Sequence, residues 1–363
     1  MSSVVATTAV RGRFLDIQNT VAQAREIHDQ VRYVEDGLLI SQNGKIQWFG
    51  SWQEGQQHLP VGIEVQHYPE QLIVPGFIDT HIHFPQTEMV GAYGEQLLEW
   101  LNTYTFPTEL QFSDKAYADQ IAQFFVQELL KNGTTTALVF CTVHTESVDA
   151  LFEAAGQHQM RLIAGKVMMD RHAPEDLCDT PNSAYADSKA LIEKWHGKGR
   201  NLYAITPRFA PTSTPEQLAK AGQLKAEYPD VGLFPLNKTW EKQVKVGLGT
   251  DIGAGTSFNQ LQTLNEAYKV QQLQGDKLSA FESLYHATLG GAKALSLDDK
   301  LGNFNLGKEA DFVVLDLKAT ALQALRQQRA KGIEDALFAL MTMGDDRNIH
   351  ATYIFGQKAY VQN

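Results

Sequence analysis

Residues 72–83 read LIVPGFIDTHIH, and this stretch decides the fold. The run is largely apolar, contains the break Pro75-Gly76 and ends on His81-Ile82-His83. A buried strand that ends on polar side chains is typical of a parallel sheet whose site lies at the carboxyl ends of its strands. Because residues two apart in a strand point to the same face, Asp79 is expected to share a face with both histidines.

The rest of the chain surrounds this strand with alternating β-rich and helical stretches. Such alternation predicts parallel βα units and a barrel-type centre. The predicted strands of the centre lie at residues 72–83, 134–140, 161–169, 201–209 and 243–251. The predicted helices lie at residues 114–131, 148–158, 183–196, 215–227 and 278–295.

Both ends of the chain have a different pattern. Residues 1–70 alternate short apolar runs with turn pairs such as Asn43-Gly44, which is typical of β-hairpins. Residues 310–317 and 351–360 again have the composition of strands. The two termini are therefore predicted to be β-rich.

Composition excludes several classes of partner. The 363 residues include 31 Lys and Arg against 42 Asp and Glu, a net charge of −11, so no nucleic acid is expected to bind. No apolar run approaches about 18 residues, and the start lacks the pattern of a signal peptide, so we predict a cytoplasmic protein with no membrane partner. Cys141 and Cys178 match no metal or redox spacing and are expected to be free thiols.

His81 and His83 are the strongest candidates for a metal site. Both imidazoles can reach one ion while Ile82 packs the other way, and zinc or iron suits such ligands. The spacing alone is a weak signal, because two histidines on one strand are more often surface or core residues. Asp79 is a candidate to orient one of the ligands from behind. Four other histidines have no partner at ligand spacing and are expected to be structural, namely His144, His172, His286 and His350.

Four stretches carry a resemblance to a known family. Residues 74–83 (VPGFIDTHIH) resemble the first barrel strand of amidohydrolases, which are metal-dependent hydrolases with a barrel flanked by a small β-sandwich. Residues 84–109, 205–209 (ITPRF) and 246–256 (VGLGTDIGAGT) resemble the guanine-deaminating members in particular. The resemblance runs along essentially the whole chain.

The resemblance implies a fold and a set of ligands. The fold is α/β, with a TIM-type (β/α) barrel at residues 71–299 and a small β-sandwich formed from both termini, residues 1–70 with 300–363. One Zn²⁺ per subunit is implied, with iron as the alternative, and guanine is the implied small-molecule substrate. A homodimer is also implied.

The resemblance also implies roles for individual residues. His81, His83 and Asp251 would hold the metal, and Asp251 would also handle a proton during catalysis. The implied substrate-binding residues are His83, Phe84, Pro85, Gln86, Arg208 and Phe209. Without the resemblance, Asp251 suits a turn or a helix N-cap, Arg208 a surface ion pair and Phe209 the core.

One part of the family pattern has no counterpart. Only 42 positions separate Phe209 from Asp251, whereas the family places three further barrel strands there. That interval normally carries a third His ligand, a Glu three residues beyond it that moves protons, and a fourth His. We expect a join near Val231-Gly232, where residues 228–231 lead into the fifth strand and residues 232–236 follow the seventh. The barrel is therefore expected to be incomplete, with strands five to seven missing.

These observations predict hydrolytic deamination of guanine to xanthine and ammonia by a metal-activated water. One alternative is a catalytically inactive deletion form that retains metal or purine binding or acts through subunit assembly. Another is an amidohydrolase for a pterin or a triazine, against which Gln86, Arg208 and Phe209 argue.

Overall fold

A computed structural model describes residues 6–21, 24–94, 96–231 and 245–362. Gly232 and the residues expected to follow the seventh strand lie outside the described residues, as do the first two residues of the predicted strand 243–251. The strands of the described part, in chain order, are β1 (Thr7–Ile17), β2 (Val31–Gln42), β3 (Lys45–Ser51), β4 (Val65–Pro75), β5 (Phe77–His83), β6 (Thr134–Phe140), β7 (Arg161–Gly165), β8 (Val167–Met168), β9 (Leu202–Tyr203), β10 (Thr206–Pro207), β11 (Phe312–Leu315), β12 (Ile349–Ile354) and β13 (Gln357–Val361).

Helices connect these strands. The α-helices of the described part are α1 (Trp52–Gly55), α2 (Leu97–Trp100), α3 (Phe106–Leu110), α4 (Lys115–Lys131), α5 (Thr145–Gln157), α6 (Pro181–Trp195), α7 (Pro215–Glu227), α8 (Gln260–Gln274), α9 (Ala280–Ala287), α10 (Leu289–Ala294), α11 (Ala321–Gln327) and α12 (Ile333–Met343). Within this part of the chain, none of them has both the length and the apolar character needed to cross a membrane.

The two ends of the chain form one seven-stranded sheet, in the order β13-β12-β11-β4-β1-β2-β3. The sheet curls, because Ile46 in the edge strand β3 exchanges backbone hydrogen bonds with Gly307 and Lys308, a few residues before β11. Phe14 lies at the centre of the enclosed apolar cluster and contacts Phe49 and Phe304 edge-on. The prediction that both termini are β-rich is confirmed.

A second sheet is parallel and has the order β5-β6-β7-β9. Apolar side chains on its outer face, such as Val139 and Leu162, pack against α4, α5, α6 and α7. On its inner face Ile78 and Ile163 pack against α10 and the turn that follows it. Helices therefore cover the sheet as expected of βα units. A short pair, β8 with β10, extends the pattern at the carboxyl ends.

The prediction of a regular strand at residues 243–251 is wrong for the described residues of that range. Residues 245–250 carry no strand assignment, yet they run beside β5. The Thr80 amide donates to the Leu248 carbonyl at 2.9 Å, and the Asp251 amide donates to the His81 carbonyl at 2.9 Å. Gly249 permits this approach, since a Cβ there would lie 2.7 Å from that of His81. Among the described residues the segment pairs with β5 on one side only, which leaves its geometry irregular.

Four other predicted elements divide. The predicted strand 161–169 becomes β7 and β8, and the predicted strand 201–209 becomes β9 and β10. The run 72–83 breaks at Gly76, where a Cβ would come within 2.1 Å of Thr135, so β4 joins the terminal sheet and β5 the parallel one. The predicted helix 278–295 breaks at Thr288 into α9 and α10. The predictions for 134–140 and 215–227 are confirmed at both ends of each element.

A buried ionic cluster joins the two sheets. Arg161, at the start of β7, and Arg200, before β9, both pair with Glu309, at 2.7 and 2.6 Å. Arg200 also pairs with Asp311, just before β11. Burial opposes ionisation of Glu309, but the charge of Arg200 and the hydrogen bond from Arg161 outweigh it and lower the pKa of Glu309 to about 2. The cluster fixes the parallel sheet against the terminal sheet.

Candidate active site

His81, His83 and Asp251 come together at the carboxyl end of β5. One nitrogen of each imidazole and a carboxylate oxygen of Asp251 all lie within 4.8 Å of one another. The Asp251 Oδ1 atom is 3.2 Å from His81 Nε2 and 3.4 Å from His83 Nε2. Two imidazoles and one carboxylate are a donor set of catalytic zinc sites, which keep a fourth position for water. The residues present therefore fit a metal ion.

The backbone presents Asp251 to the histidines. Its φ of 52° lies in the left-handed region, which aspartate tolerates better than most residues and which is common at functional sites. Burial would raise the pKa of Asp251, but the hydrogen bonds with His81 and His83 hold it well below its usual range. The same contact raises the pKa of His81, whereas burial lowers the pKa of His83. Asp251 is thus an anion that faces two imidazoles.

Asp79 lies beneath this cluster and ties its two halves together. Its Oδ1 accepts the amides of His81 and Thr250, each at 3.1 Å, and its Oδ2 accepts the Thr250 hydroxyl at 2.5 Å. Asp79 is fully buried, and this burial raises its pKa to about 6 against the effect of those hydrogen bonds. Asp79 therefore acts on the backbone that carries the ligands rather than on an imidazole.

Phe140 is a site residue that the sequence analysis missed. Strand β6 pairs with β5 so that Phe140 is opposite His83. Its ring stacks on the His83 ring with centroids 5.0 Å apart and meets the His81 ring edge-on at 5.3 Å. The only signal in the sequence was its place at the end of a predicted strand. The ring restricts both imidazoles to orientations that face Asp251.

A second cluster joins Gln86 and Arg208 through Glu109, which the sequence analysis also missed. Gln86 follows β5 in a 3-10 turn, and Arg208 follows β10, where its amide donates to the Met168 carbonyl. Glu109, in α3, accepts the Gln86 amide at 3.2 Å and the Arg208 guanidinium at 2.6 Å. All three side chains are largely buried, and the charge of Arg208 contributes to the lowered pKa of His83. The second cluster is therefore close to the candidate metal ligands, since Gln86 also lies against Gly253, two residues after Asp251.

The remaining predicted contact residues divide into two groups. Phe209 is 37% exposed, which leaves its ring free for a ligand. Phe84 and Pro85 are buried, and the Phe84 ring packs in the core against Phe112 and Phe125. That Phe84 and Pro85 bind substrate stays a prediction. The Phe84 ring itself is not expected to contact the substrate, because it is packed in the core.

All eleven histidines of the chain belong to the described residues, and only His81 and His83 belong there to a group that could hold a metal ion. His172 is bound to a backbone carbonyl, that of Pro211, and His286 lies near that of Val246. His144 is the N-cap residue immediately before α5, and His350 lies in β12.

Comparison with known proteins decides the family. The model of the amidohydrolase family matches residues 72–233 and 224–359. The chain belongs to the amidohydrolase family. This amidohydrolase is 51% identical to the guanine deaminase of Escherichia coli strain K12, over the full length of both chains. The solved structure of the E. coli guanine deaminase superposes with a TM-score of 0.94 over 98% of this chain and 100% of the other. The solved structure of the guanine deaminase of Bradyrhizobium japonicum, which is 33% identical, superposes with a TM-score of 0.93 over 98% of this chain and 100% of the other.

The comparisons also bear on the expected join. The E. coli alignment runs over 438 positions against 363 residues in this amidohydrolase, so at least 75 positions have no residue here. The two matched parts of the family model overlap at residues 224–233, which contain Val231-Gly232. The alignment length shows that this chain has fewer residues than the alignment has positions, and the family match divides into two parts at residues 224–233.

Proposed function

We propose that this amidohydrolase converts guanine and water to xanthine and ammonia. The observation that carries the proposal is the proximity of two clusters, the ligand set His81, His83 and Asp251 and the pair Gln86 and Arg208. Gln86 lies against Gly253, two residues beyond Asp251, which brings an amide and a guanidinium beside the ligands. The relatives named guanine deaminase support the same reaction.

The reaction replaces the amino group on the purine carbon by oxygen. A bound divalent metal ion would supply an activated water for this step. His81, His83 and Asp251 would hold that ion, and zinc is the proposed metal, one per subunit, with iron as the alternative. The ionised Asp251, which contacts both imidazoles, is also proposed to accept a proton from the attacking water and to return one to the leaving ammonia.

Binding of the purine is assigned to groups that follow two strands, β5 and β10. Arg208 offers a fork of donors to the polar edge of the base, and Gln86 adds an amide beside it. The exposed ring of Phe209 is proposed to pack on the face of the base. A site of buried polar groups rejects a ligand that leaves them unpaired, which is how a base is selected.

We further propose that the barrel is incomplete, lacking strands five to seven, and that the curled terminal sheet, residues 1–70 with 300–363, is the small β-sandwich. The barrel domain then comprises residues 71–299. The 75 unmatched alignment positions support this division, since three βα units need on the order of 75 to 90 residues. A homodimer and a cytoplasmic location stay predictions.

Ammonia release from guanine tests the function directly. The purified protein is loaded with Zn²⁺ or Fe²⁺, and ammonia is measured against time. Turnover that disappears in Asp251→Asn supports the proposal. Bound metal with no ammonia above background would overturn it in favour of the inactive deletion form.

A further inference from the structure

The carboxylate of Glu109 has one oxygen for each of the two purine-binding candidates. Its Oε1 accepts from Gln86 Nε2 at 3.2 Å, and its Oε2 accepts from Arg208 Nη1 at 2.6 Å. The Glu109 side chain is 2% exposed and that of Arg208 8%. A charge buried this deeply needs a partner of opposite sign, and Glu109 and Arg208 are each other's partners.

This arrangement determines which way the Gln86 amide faces. An ionised carboxylate only accepts hydrogen bonds, so the NH₂ group of Gln86 must be the side that faces Glu109. The Gln86 Oε1 atom then points the other way, along Gly253, and accepts no hydrogen bond from the described residues. Gln86 therefore presents an acceptor, and Arg208 keeps its remaining donors for a ligand.

The same contact determines the charge that a ligand meets. Arg208 alone would attract an anion, but Glu109 at 2.6 Å offsets its positive charge within a buried site. What remains is a set of hydrogen-bond donors with little net charge behind them. Such a set favours a neutral carbonyl oxygen over an anionic one.

We propose that Glu109 is a positioning residue of the purine site, which orients Gln86 and offsets the charge of Arg208 so that the site prefers a neutral purine to a purine anion. The ligand class is a neutral purine with a carbonyl oxygen for Arg208 and a neighbouring N–H for Gln86. This inference rests on the proposed function, because it uses the same purine site.

Two purines without an amino group test the preference apart from turnover. Hypoxanthine is neutral near pH 7, whereas urate is an anion, and neither can release ammonia. Calorimetry on the full chain gives the ratio of their dissociation constants. In Glu109→Gln, which keeps the shape and removes the charge, we expect the preference for hypoxanthine over urate to fall at least about tenfold. In Glu109→Asp, which keeps the charge, it should change by less than about threefold.

The outcomes separate the inference from the function. An unchanged ratio in Glu109→Gln overturns the inference, as does a shift of equal size in Glu109→Asp, which would indicate a role in packing alone. Failure of the unsubstituted protein to bind either purine overturns it too. Absence of ammonia from guanine counts against the proposed function only, since neither probe reacts.

A second pair of variants covers the case in which Glu109→Gln alone does not fold because it leaves the buried Arg208 without its partner. Arg208→Gln leaves the negative charge of Glu109 alone in the site, whereas the double variant with Glu109→Gln has no charge there. We expect Arg208→Gln to disfavour urate by at least about tenfold relative to the double variant. Equal ratios in these two proteins would overturn the inference.

Discussion

The amide oxygen of Gln86 lies directly over the backbone of Gly253, so that a Cβ at residue 253 would come within 1.9 Å of it. Gly253 has a φ of 118°, a backbone conformation that residues other than glycine rarely adopt. The loop after Asp251 thus forms one wall of the proposed purine site, and Glu109 forms another.

Replacing Gly253 by alanine should therefore displace Gln86. We expect purine affinity to fall at least about tenfold and the free energy of unfolding to fall by about 1 to 3 kcal/mol, because the backbone is strained and the amide loses its place. Calorimetry and urea denaturation measure the two effects. Gly222→Ala in α7 is the control, since a Cβ there meets nothing within 4 Å, and it should stabilise the fold by about 0.5 to 1 kcal/mol. Equal purine affinity in both variants would contradict the packing described.

Removing one metal ligand should abolish metal binding. With His83→Ala only His81 and Asp251 remain, too few to retain an ion through purification, so metal content should fall from about one equivalent to below about 0.1. Elemental analysis by mass spectrometry measures this content. His67→Ala on the exposed face of β4 should leave the content unchanged. If the two variants carry the same amount of metal, these residues do not form the site.

The contact between Asp79 and Thr250 should support the ligands from behind. In Thr250→Val the hydroxyl is lost, and the buried carboxylate keeps only its two amide donors. We expect metal affinity to fall about 10- to 100-fold and stability by about 1 to 3 kcal/mol. Competition with a chelator measures the affinity. Thr250→Ser keeps the hydroxyl, and its metal affinity should remain within about threefold of that of the parent protein. If Thr250→Ser loses as much affinity as Thr250→Val, the methyl group of Thr250 matters rather than its hydroxyl.

The Glu309 cluster should make the protein sensitive to acid. The pKa of Glu309 is about 2 in the folded chain, below the 4.5 of an unperturbed glutamate, so the folded state favours the ionised form. Its contribution is therefore complete above pH 4.5 and is lost as the pH falls toward 2. Denaturation followed across this range should show a steep loss of stability.

Glu309→Gln should remove that part of the acid sensitivity. It should also lower the free energy of unfolding at neutral pH by about 3 to 5 kcal/mol, because Arg161 and Arg200 lose a buried partner. Glu70→Gln, in an exposed pair with Lys318, should change stability by less than about 0.5 kcal/mol. An acid profile of Glu309→Gln that parallels the parent would rule out this assignment.

The two thiols should differ in reactivity. Cys141 is 1% exposed, and burial raises its pKa far above the usual range, so little thiolate forms and reagents cannot reach it. Cys178 is partly exposed and should react slowly. Titration with a thiol-specific disulfide reagent should count one thiol in the native protein and two in denaturant, and none in native Cys178→Ser. Fast reaction of two native thiols would show that the strand end after β6 opens.

The local elements were largely predictable. Strand β6 and helix α7 have strong patterns and clear ends, and their predicted bounds agree with the structure. Residues 245–250 were not, because their regularity depends on neighbours in the sheet rather than on their own composition. The breaks at Gly76 and Thr288 likewise follow from which sheet or helix each half packs against.

For the site, the sequence by itself determined the candidate residues, because strand periodicity and the family resemblance both depend on residue type and spacing. These candidates are His81, His83, Gln86, Arg208 and Asp251. Only the tertiary structure decided that Glu109 joins Gln86 to Arg208 and that Phe140 stacks on His83. Those contacts join residues 23 to 99 positions apart in the chain or on different strands. Such pairs are brought together by the packing of separate elements, and no local pattern encodes them.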